Sequence, residues 1–387
     1  MQISESRKIK FNGVKKTTAV LMPELTIGSG GLRTAVRNIS GLCHTQKVHF
    51  YIQDLGSGSQ VETQRLILQE LAGSEFDFEL SIGWKSAQAD NLIVTSGESA
   101  YFSQCCDAST KSYFVQDRES QFNPASSRFV EIEHSYRLGY RTITIGKYLS
   151  WSLANEFGIA SESIPFGVDT SKYKFSPRPR RQVVRIAVLV QPEKPRRLTE
   201  LIASALSKVM SLNRNVEIFA FGSHFAPKFS FPHVWLGMLT DEQLSLLYQS
   251  CSLGVALSAT NPSRVPFEMR ACGIPVIDLF GPNTIFDYDD SSVFLVYPSS
   301  ASLASGILQL LEDDEKMSPS PAKVIDLSEE RSAFVNAALR QGNVEKLRLS
   351  AIRRISKFDL KPAKVDENAA SNLIKSVERQ LRLSNVV

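Results

Sequence analysis

Short runs of β-branched and aromatic residues alternate with helical patterns along the first half of the chain, and this alternation limits the possible folds. The runs cover residues 18–23, 48–53, 91–95, 112–116 and 142–146. Between the first two runs, Leu32, Val36, Ile39 and Leu42 recur at helical spacing. Strands that alternate with helices predict a parallel sheet covered by helices on both faces.

The same pattern restarts in the second half of the chain. Strand-like runs cover residues 185–190, 216–221, 253–258 and 275–279. A helix is predicted over 198–210, and a capping box of Thr240 and Gln243 begins a helix that ends near Cys251. Residues 165–181 between the halves are rich in Pro, Gly and Arg, which is typical of a linker. We therefore predict two doubly wound α/β domains that face one another.

The predicted boundaries give four parts. These are a first Rossmann-like domain over residues 1–165, a linker over 166–182, a second Rossmann-like domain over 183–312 and a helical extension over 313–387. After Glu312 we expect no further strands. One expected helix carries apolar residues on one face, namely Val344, Leu347, Ala351, Ile355 and Phe358, and another spans about 367–383. We expect these helices to dock on the domains; contact of a basic amphipathic helix with anionic lipid is the alternative.

Composition excludes several classes of protein. Of 387 residues, 43% are hydrophobic and 22% charged, as in a soluble globular protein. A net charge of +4 is too small for the extensive basic surface that strong nucleic-acid binding requires. No apolar run reaches the roughly 20 residues of a membrane span, and residues 1–16 lack the apolar stretch of a signal peptide, so we expect a cytoplasmic protein. The five cysteines have no metal-ligand spacing, and reduced thiols are expected.

Three segments follow predicted strands, where open α/β sheets bind ligands. The first, residues 24–33, contains Gly28, Gly30 and Gly31, which allow a ligand close to the backbone, and the next helix offers free N–H groups to an anion. The spacing is not that of a dinucleotide-binding turn, because Arg33 occupies the third glycine position. A glycine-rich turn without a ligand is the alternative.

The second segment, residues 191–197, carries Lys194, Arg196 and Arg197 between a strand and a helix. Guanidinium groups bind phosphate oxygens in a fork, so these cations suit a diphosphate; a solvated turn is the alternative. The third segment, residues 263–277, predicts a helix of about two turns with Pro266 in its first turn. Glu268 lies in that turn, where it could accept two adjacent hydroxyls of a ribose, or serve only as a cap or ion-pair partner.

With these motifs in order, residues 17–312 resemble a GT-B glycosyltransferase of the large retaining family that uses nucleotide-diphosphate sugars. The matching segments are Gly30-Gly31 (the family's acceptor and phosphate loop), 165–169 (PFGVD), 236–248 (LGMLTDEQLSLLY) and 268–276 (EMRACGIPV). Two positions depart from the family. Thr260 stands where the family often has a Glu, and Gln191 and Arg196 stand where it has an Arg and Lys that bind the diphosphate.

Residues 113–117 (YFVQD) and 262–269 (PSRVPFEM) are similar to the bacterial branch that transfers rhamnose from dTDP-rhamnose. The resemblance implies transfer of a sugar from a nucleotide-diphosphate donor to a glycan or lipid-linked glycan in cell-surface polysaccharide synthesis. It implies no cofactor and no metal, since Asp289-Asp290 and Asp313-Asp314 lie in a loop and a polar tail. Peripheral contact with the inner face of an anionic membrane is a further expectation.

The resemblance also assigns roles to residues. Glu268 is expected to bind the ribose of the donor, and Arg196 to act in catalysis by stabilising the leaving diphosphate. The other expected donor contacts are Lys194, Arg197, Ser263, Arg264, Pro266, Gly30 and Gly31. The loop 116–119 is expected to face the acceptor, with Asp117 or Glu119 as a proton acceptor.

Two other classes of protein stay open at this point. A nicotinamide-dependent oxidoreductase would use Gly28 and Gly30 with Asp54 on the ribose; Arg33 disfavours it, and the second half of the chain is left unexplained. A non-catalytic protein that binds sugar nucleotides or polysaccharides is the other possibility, and Thr260 in place of Glu keeps it open.

Overall fold

The N-terminal half forms one parallel sheet of seven strands in the order β3-β2-β1-β4-β5-β6-β7. A computed structural model describes residues 16–56, 58, 60–73, 76–84, 87–177, 183–288 and 293–340. The strands are β1 (Thr17–Met22), β2 (Lys47–Ile52), β3 (Glu79–Ile82), β4 (Gln88–Val94), β5 (Asp107–Val115), β6 (Arg141–Ile145) and β7 (Ser161–Ile164). The helices are α1 (Gly30–Ile39), α2 (Val61–Ala72), α3 (Gly97–Phe102), α4 (Ser127–Ser135) and α5 (Lys147–Phe157).

A two-residue strand, β8 (Gly167–Val168), lies at the start of the crossover to the second half. The second sheet is also parallel, in the order β11-β10-β9-β12-β13-β14. Its strands are β9 (Val184–Leu189), β10 (Val216–Phe221), β11 (Val234–Trp235), β12 (Leu253–Val255), β13 (Val276–Leu279) and β14 (Val293–Val296). The helices are α6 (Thr199–Leu212), α7 (Asp241–Ser250), α8 (Val265–Ala271), α9 (Pro282–Ile285) and α10 (Ser300–Glu312).

The predicted fold class, two Rossmann-like doubly wound sheets of the GT-B type, is confirmed. All nine predicted strands are present. Within these two sheets four further strands were missed, and they are the outer strands: β3 and β7 in the first, β11 and β14 in the second. An outer strand pairs on one side only and can be short and partly polar, as β3 (ELSI) and β7 (SESI) are. Strand β11 has two residues, and β14 (VFLV) is an apolar run of only four. The proposed domain boundaries at 165, 182 and 312 stay predictions, and residues 178–182 of the linker lie outside the described residues.

Two local predictions are also confirmed. The Thr240 hydroxyl accepts a hydrogen bond from the Gln243 backbone N–H, and the Gln243 side chain accepts one from the Thr240 N–H, so α7 begins with a capping box. Helix α8 has two turns, with Pro266 in the first. Among the described helices, none combines the length and the apolar character that crossing a membrane requires.

The expectation that strands stop after Glu312 is wrong. After α11 (Asp314–Met317), strand β15 (Ile325–Asp326) pairs in parallel with β8, and α12 (Leu327–Leu339) follows it. Helix α12 returns to the N-terminal half and packs on α1. Its Phe334 is fully buried, with the ring centroid 4.8 Å from that of Phe114 in β5. The helices expected around residues 344–358 and 367–383 lie outside the described residues.

A buried carboxylate on α12 joins three parts of the chain. Glu330 is 1% exposed. One oxygen accepts from the Asn38 amide on α1 (2.7 Å), and the other from the backbone N–H of Gly167 in β8 (2.5 Å). Arg264, the residue before α8, donates to both oxygens at 2.6 and 3.0 Å. A buried charge needs this degree of pairing, because an unpaired one costs several kcal/mol.

A glycine is required at position 167 because the junction has no room for a side chain. A Cβ atom at position 167 would lie 2.8 Å from a Glu330 carboxylate oxygen and 2.9 Å from the backbone oxygen of Asp326. Any larger residue would therefore push α12 and β15 away from β8. The glycine of the PFGVD segment thus allows the close approach of the C-terminal helix.

We predict that Glu330→Gln destabilises the fold by about 3–5 kcal/mol, because it leaves the Arg264 guanidinium buried without its counter-charge. The measurement is urea unfolding of the full chain at pH 7. Glu315→Gln, at an exposed position of α11, is the matched control and should leave the midpoint unchanged. Unfolding midpoints that coincide for wild type and Glu330→Gln would show that this junction carries no stability.

Candidate functional site

A cavity of about 830 Å³ lies between the two sheets. Its lining includes residues within two positions of the ends of β1, β5, β9 and β10, namely Pro23, Gln116, Gln191 and Gly222. The carboxyl ends of both sheets therefore face it, as predicted for ligand binding in open α/β sheets. Below, the N-terminal wall means the lining residues numbered 23–145, and the C-terminal wall means those numbered 189–268.

The cavity brings together nearly all of the predicted site residues. Those that line it are Gly30, Gly31, Asp117, Glu119, Lys194, Arg196, Arg197, Ser263, Arg264 and Glu268. Pro266 does not line the cavity and is buried at the start of α8. Gly30 and Gly31 are the first two residues of α1, which is capped by the Ser29 hydroxyl. The glycine of this turn that adopts a left-handed backbone conformation is Gly28, at φ +87°.

The cations of the second segment follow a strained turn. Pro195–Arg197 form a short 3-10 helix, and Leu198 then adopts a left-handed backbone conformation at φ 56°. This conformation costs about 1 kcal/mol or more for a residue with a branched side chain, and such strain is concentrated at functional sites. It turns the chain sharply between the 3-10 helix and α6, so that Arg196 and Arg197 stay at the cavity.

Arg197 is the buried cation of this cavity. It is 9% exposed, and its Nε and Nη1 atoms have no hydrogen-bond partner among the described residues. Burial lowers the pKa of Arg197; the charge of Asp117 acts in the opposite direction, and the charge of Arg196 lowers the pKa further. A buried guanidinium with unused donors at the wall of a cavity is suited to bind an anion.

Arg196 and Lys194 add two further positive charges. The Arg196 guanidinium lies 4.0 Å from the centroid of the Phe122 ring, and its Nε is 3.8 Å from an Asp117 oxygen. Burial, with the neighbouring Arg196, lowers the pKa of Lys194. The three cations thus converge on one region of the C-terminal wall without a full set of counter-charges.

Glu268 lies on α8 and lines the cavity, and its carboxylate makes no hydrogen bond with the described residues. Burial raises its pKa to about 7, and the nearby Asp241 raises it further, although Arg264 and Arg37 act in the opposite direction. A half-buried carboxylate without a protein donor retains its acceptor sites for a ligand hydroxyl.

The contacts of Arg264 do not fit its predicted role as a ligand of the donor diphosphate. Its two terminal nitrogens are bound to Glu330, and they also donate to the Gly167 backbone oxygen and the Thr34 hydroxyl. Sequence reasoning missed Glu330, because the carboxylate lies 66 residues from Arg264 on a helix that was expected only to dock. The geometry makes Arg264 a structural link between α1, β8 and α12.

Asp117 and Glu119 lie close in sequence and have different surroundings. Asp117 accepts from the backbone N–H of Asn261 in the C-terminal half at 3.0 Å and from the N–H of Arg118 at 2.9 Å. The Asn261 amide also donates to backbone oxygens of Gln116 and Ile145, at 3.0 and 3.3 Å. Asp117 therefore helps to hold the two halves together.

The Glu119 carboxylate accepts one hydrogen bond among the described residues, from the Gly97 backbone N–H at 3.1 Å. Burial raises its pKa to about 7, and the charges of Asp117 and Glu98 add to the effect. Arg118, between the two acids, points into the protein, where it pairs with Glu133 and Glu156.

An ion cluster across the cavity was not predicted. Asp241, the first residue of α7, pairs with Arg33 at 2.8 Å and Arg37 at 3.4 Å on α1, and with Lys172 at 3.2 Å. The four-residue spacing of the two arginines places them on one helix face, which could have indicated a shared partner. The carboxylate that pairs with them could not be identified from the sequence, because it depends on how the two halves of the chain pack against each other.

The alternative sites have little support from the geometry. Asp54, the ribose ligand of the oxidoreductase hypothesis, is exposed, accepts from the Gly56 N–H and is not among the lining residues. Within the described residues no group of three or more His, Cys, Asp or Glu side chains is arranged to hold a metal ion. Asp313 caps α11 and pairs with Lys316, while Asp289 and Asp290 lie outside the described residues.

Comparison with known sequences finds one matching family and one similar protein. Residues 184–308 match the family described as the C-terminal domain of WsaF. A 175-residue segment is 30% identical to the O-antigen biosynthesis protein RfbC of Myxococcus xanthus. That segment is 44% of this chain but only 14% of the Myxococcus protein.

Comparison with solved structures supports the fold. An Anabaena protein, HepE, in complex with UDP-glucose has a TM-score of 0.61 at 14% identity over 83% of this chain and 94% of its own. A variant of TarM from S. aureus, in complex with fondaparinux, α-GlcNAc-glycerol and UDP, has 0.58 at 10% identity over 88% and 99%. A glycosyltransferase from Rickettsia africae has 0.55 at 14% over 84% and 94%. Identities this low establish the shared fold alone.

We predict that Glu268→Gln stabilises the protein more at pH 8 than at pH 5. An unfolded Glu has a pKa of about 4.3, whereas folded Glu268 keeps its proton to about pH 7. Between these values the folded state binds more protons, so its free energy of unfolding falls as the pH rises. Glutamine removes that loss, and the stability of the variant relative to wild type should increase by about 1–2 kcal/mol between pH 5 and pH 8.

Urea unfolding of both proteins at the two pH values provides the measurement. Glu70→Gln, at an exposed position of α2, is the matched control. A stability difference between Glu268→Gln and wild type that stays constant with pH would contradict the raised pKa.

Proposed function

We propose that the chain is a glycosyltransferase that moves a sugar from a nucleotide-diphosphate donor to a glycan acceptor. The observation that carries the proposal is the buried Arg197, with two nitrogens that have no partner among the described residues, in a cavity between the two sheets that Glu268 also lines. One fold can host different activities, so the chemistry of the site has to carry the assignment. The complexes of HepE with UDP-glucose and of TarM with UDP support a nucleotide-sugar donor.

The C-terminal wall would bind the donor. Glu268 accepts hydrogen bonds from the ribose hydroxyls, and Arg197, Arg196 and Lys194 neutralise the diphosphate. As the bond between the sugar and the diphosphate breaks, negative charge grows on the leaving phosphate. Cations that are already positioned in a closed site stabilise this charge without reorganisation, which is a large contribution to catalysis. Ser263 is a further proposed donor contact, since its buried hydroxyl oxygen has no partner among the described residues.

The N-terminal wall would receive the acceptor, whose hydroxyl oxygen attacks the anomeric carbon. Gly30, Gly31 and the loop 116–119 lie on this side of the cavity. Asp117 and Glu119 are the proposed acceptors of the hydroxyl proton. Asp117 accepts two backbone hydrogen bonds that link the two halves of the chain. Its first role in the proposal is therefore to hold Arg196 and the domain interface in place.

Finer features of the proposal rest on sequence motifs and on relatives. The YFVQD segment at 113–117 supports a dTDP-rhamnose donor. The similarity to an O-antigen biosynthesis protein supports a role in cell-surface polysaccharide synthesis on the cytoplasmic side of the membrane. Three cations on the donor wall support a reaction that needs no metal ion.

The nucleotide is identified by thermal stabilisation. UDP, dTDP and GDP are added at one equal concentration. A nucleotide present at 100 times its Kd adds about 2.7 kcal/mol to the free energy of unfolding, so the nucleotide that binds raises the melting temperature and the ones that do not bind leave it unchanged. NAD(P)H in the same experiment tests the oxidoreductase hypothesis. A protein stabilised by none of the three diphosphates would contradict the proposed function.

We predict that Arg197→Met lowers kcat for sugar transfer by about 100- to 1000-fold, because it removes a cation that binds the leaving phosphate. Transfer is measured as nucleotide release with mixed glycan acceptors. Arg214→Met, at an exposed position after α6, should keep wild-type activity. Nucleotide binding by wild type with no turnover of any nucleotide sugar would indicate the non-catalytic binding protein instead.

A further inference from the structure

The guanidinium of Arg196, on the C-terminal wall, contacts residues of the N-terminal half. Its backbone is fixed within the C-terminal half, because the Arg196 carbonyl oxygen accepts a hydrogen bond from the Ala259 N–H at 2.9 Å. The guanidinium lies against Phe122 and Asp117. The Asp117 oxygen is 3.8 Å from Nε, which is too far for a hydrogen bond, and Nε is buried without a hydrogen-bond partner among the described residues. The position of this cation therefore depends on the other half of the chain.

Phe122 presents an aromatic ring to Arg196 from a fixed backbone. It is the last residue of a 3-10 helix, Glu119–Phe122. Ser120 anchors this helix, since it is fully buried and its hydroxyl donates to a Glu133 carboxylate oxygen at 2.9 Å. Phe122 itself is 41% exposed and lines the cavity. The centroid of its ring lies 4.0 Å from the central carbon of the Arg196 guanidinium.

An aromatic ring holds a guanidinium without using its hydrogen-bond donors. The face of the ring carries partial negative charge and attracts a cation that lies within about 6 Å of the centroid. The N–H groups and the net positive charge of the guanidinium stay available to a ligand. Arg264 shows the opposite case, because its two terminal nitrogens donate to Glu330 and to two further oxygens. A cation held by Phe122 can still donate to a phosphate.

We propose that Phe122 is a positioning residue, whose ring holds the Arg196 guanidinium in the orientation that binds the leaving phosphate of the donor. The inference rests on the proposed function and adds a residue of the N-terminal wall to the donor site. An arginine side chain has many rotamers, and a ligand that binds a mobile one has to order it at a cost in free energy. A guanidinium that is fixed before the ligand arrives avoids this cost and stabilises the growing charge without reorganisation.

The test is a double-mutant cycle of Phe122→Leu and Arg196→Met. Leucine keeps an apolar side chain and removes the electrostatic attraction of the ring. The probe is the one of UDP, dTDP and GDP that stabilises wild type, and its Kd is measured by isothermal titration calorimetry. We expect Phe122→Leu to raise the Kd about 3- to 30-fold when Arg196 is present. In the Arg196→Met background, where Arg197 and Lys194 still bind the diphosphate, it should change the Kd by no more than about twofold.

Two further variants complete the experiment. Phe122→Tyr keeps the face of the ring and should bind the nucleotide as wild type does. Phe225→Leu is the matched control, because Phe225 is an aromatic residue that is 63% exposed and does not line the cavity. Its Kd should equal that of wild type.

Three results would overturn this inference and leave the proposed function intact. The first is an unchanged or lower Kd for Phe122→Leu, which would show that the ring does not help Arg196 to bind phosphate. The second is an equal loss of affinity in the Arg196→Met background, which would show that the ring does not act through Arg196. The third is a loss for Phe122→Tyr as large as that for Phe122→Leu. Absence of binding of all three nucleotides by wild type overturns the proposed function itself.

Discussion

The buried carboxylate of Glu330 holds the described structure together at its centre. It accepts hydrogen bonds from Asn38 on α1, from the Gly167 backbone in β8 and from Arg264 before α8. These three contacts belong to the first half of the chain, the crossover and the second half. Because an ionised group in this position must keep all its partners, the placement of α12 is coupled to the orientation of the two sheets.

The position of the cavity follows from this coupling. Helix α1 presents Arg33, Thr34, Arg37 and Asn38 toward the second half and α12, and each has a polar partner there. A polar face that would otherwise be solvated thus becomes an interface between the halves. It holds the start of α1 beside α7 and α8, so that the carboxyl ends of both sheets enclose one space.

Charge within that space is divided between the walls. Cations without full pairing are on the C-terminal wall, and Glu119, with one protein hydrogen bond, is on the N-terminal wall. An anionic ligand therefore has available positive charge beside Arg197 and none beside Glu119.

The sequence alone determined the inner strands, the two-turn helix α8, the capping box of α7 and the gathering of Glu268, Arg196 and Arg197 at strand ends, because local periodicity and turn chemistry specify these features. The outer strands were missed because they are short and, in β3 and β7, partly polar. Only the tertiary structure decided which charged side chains are paired within the protein and which are available to bind a ligand. Arg264 and Glu330 are 66 residues apart, and Arg33 and Asp241 are 208 apart. Such pairs depend on how distant segments pack, which no local pattern in the sequence encodes.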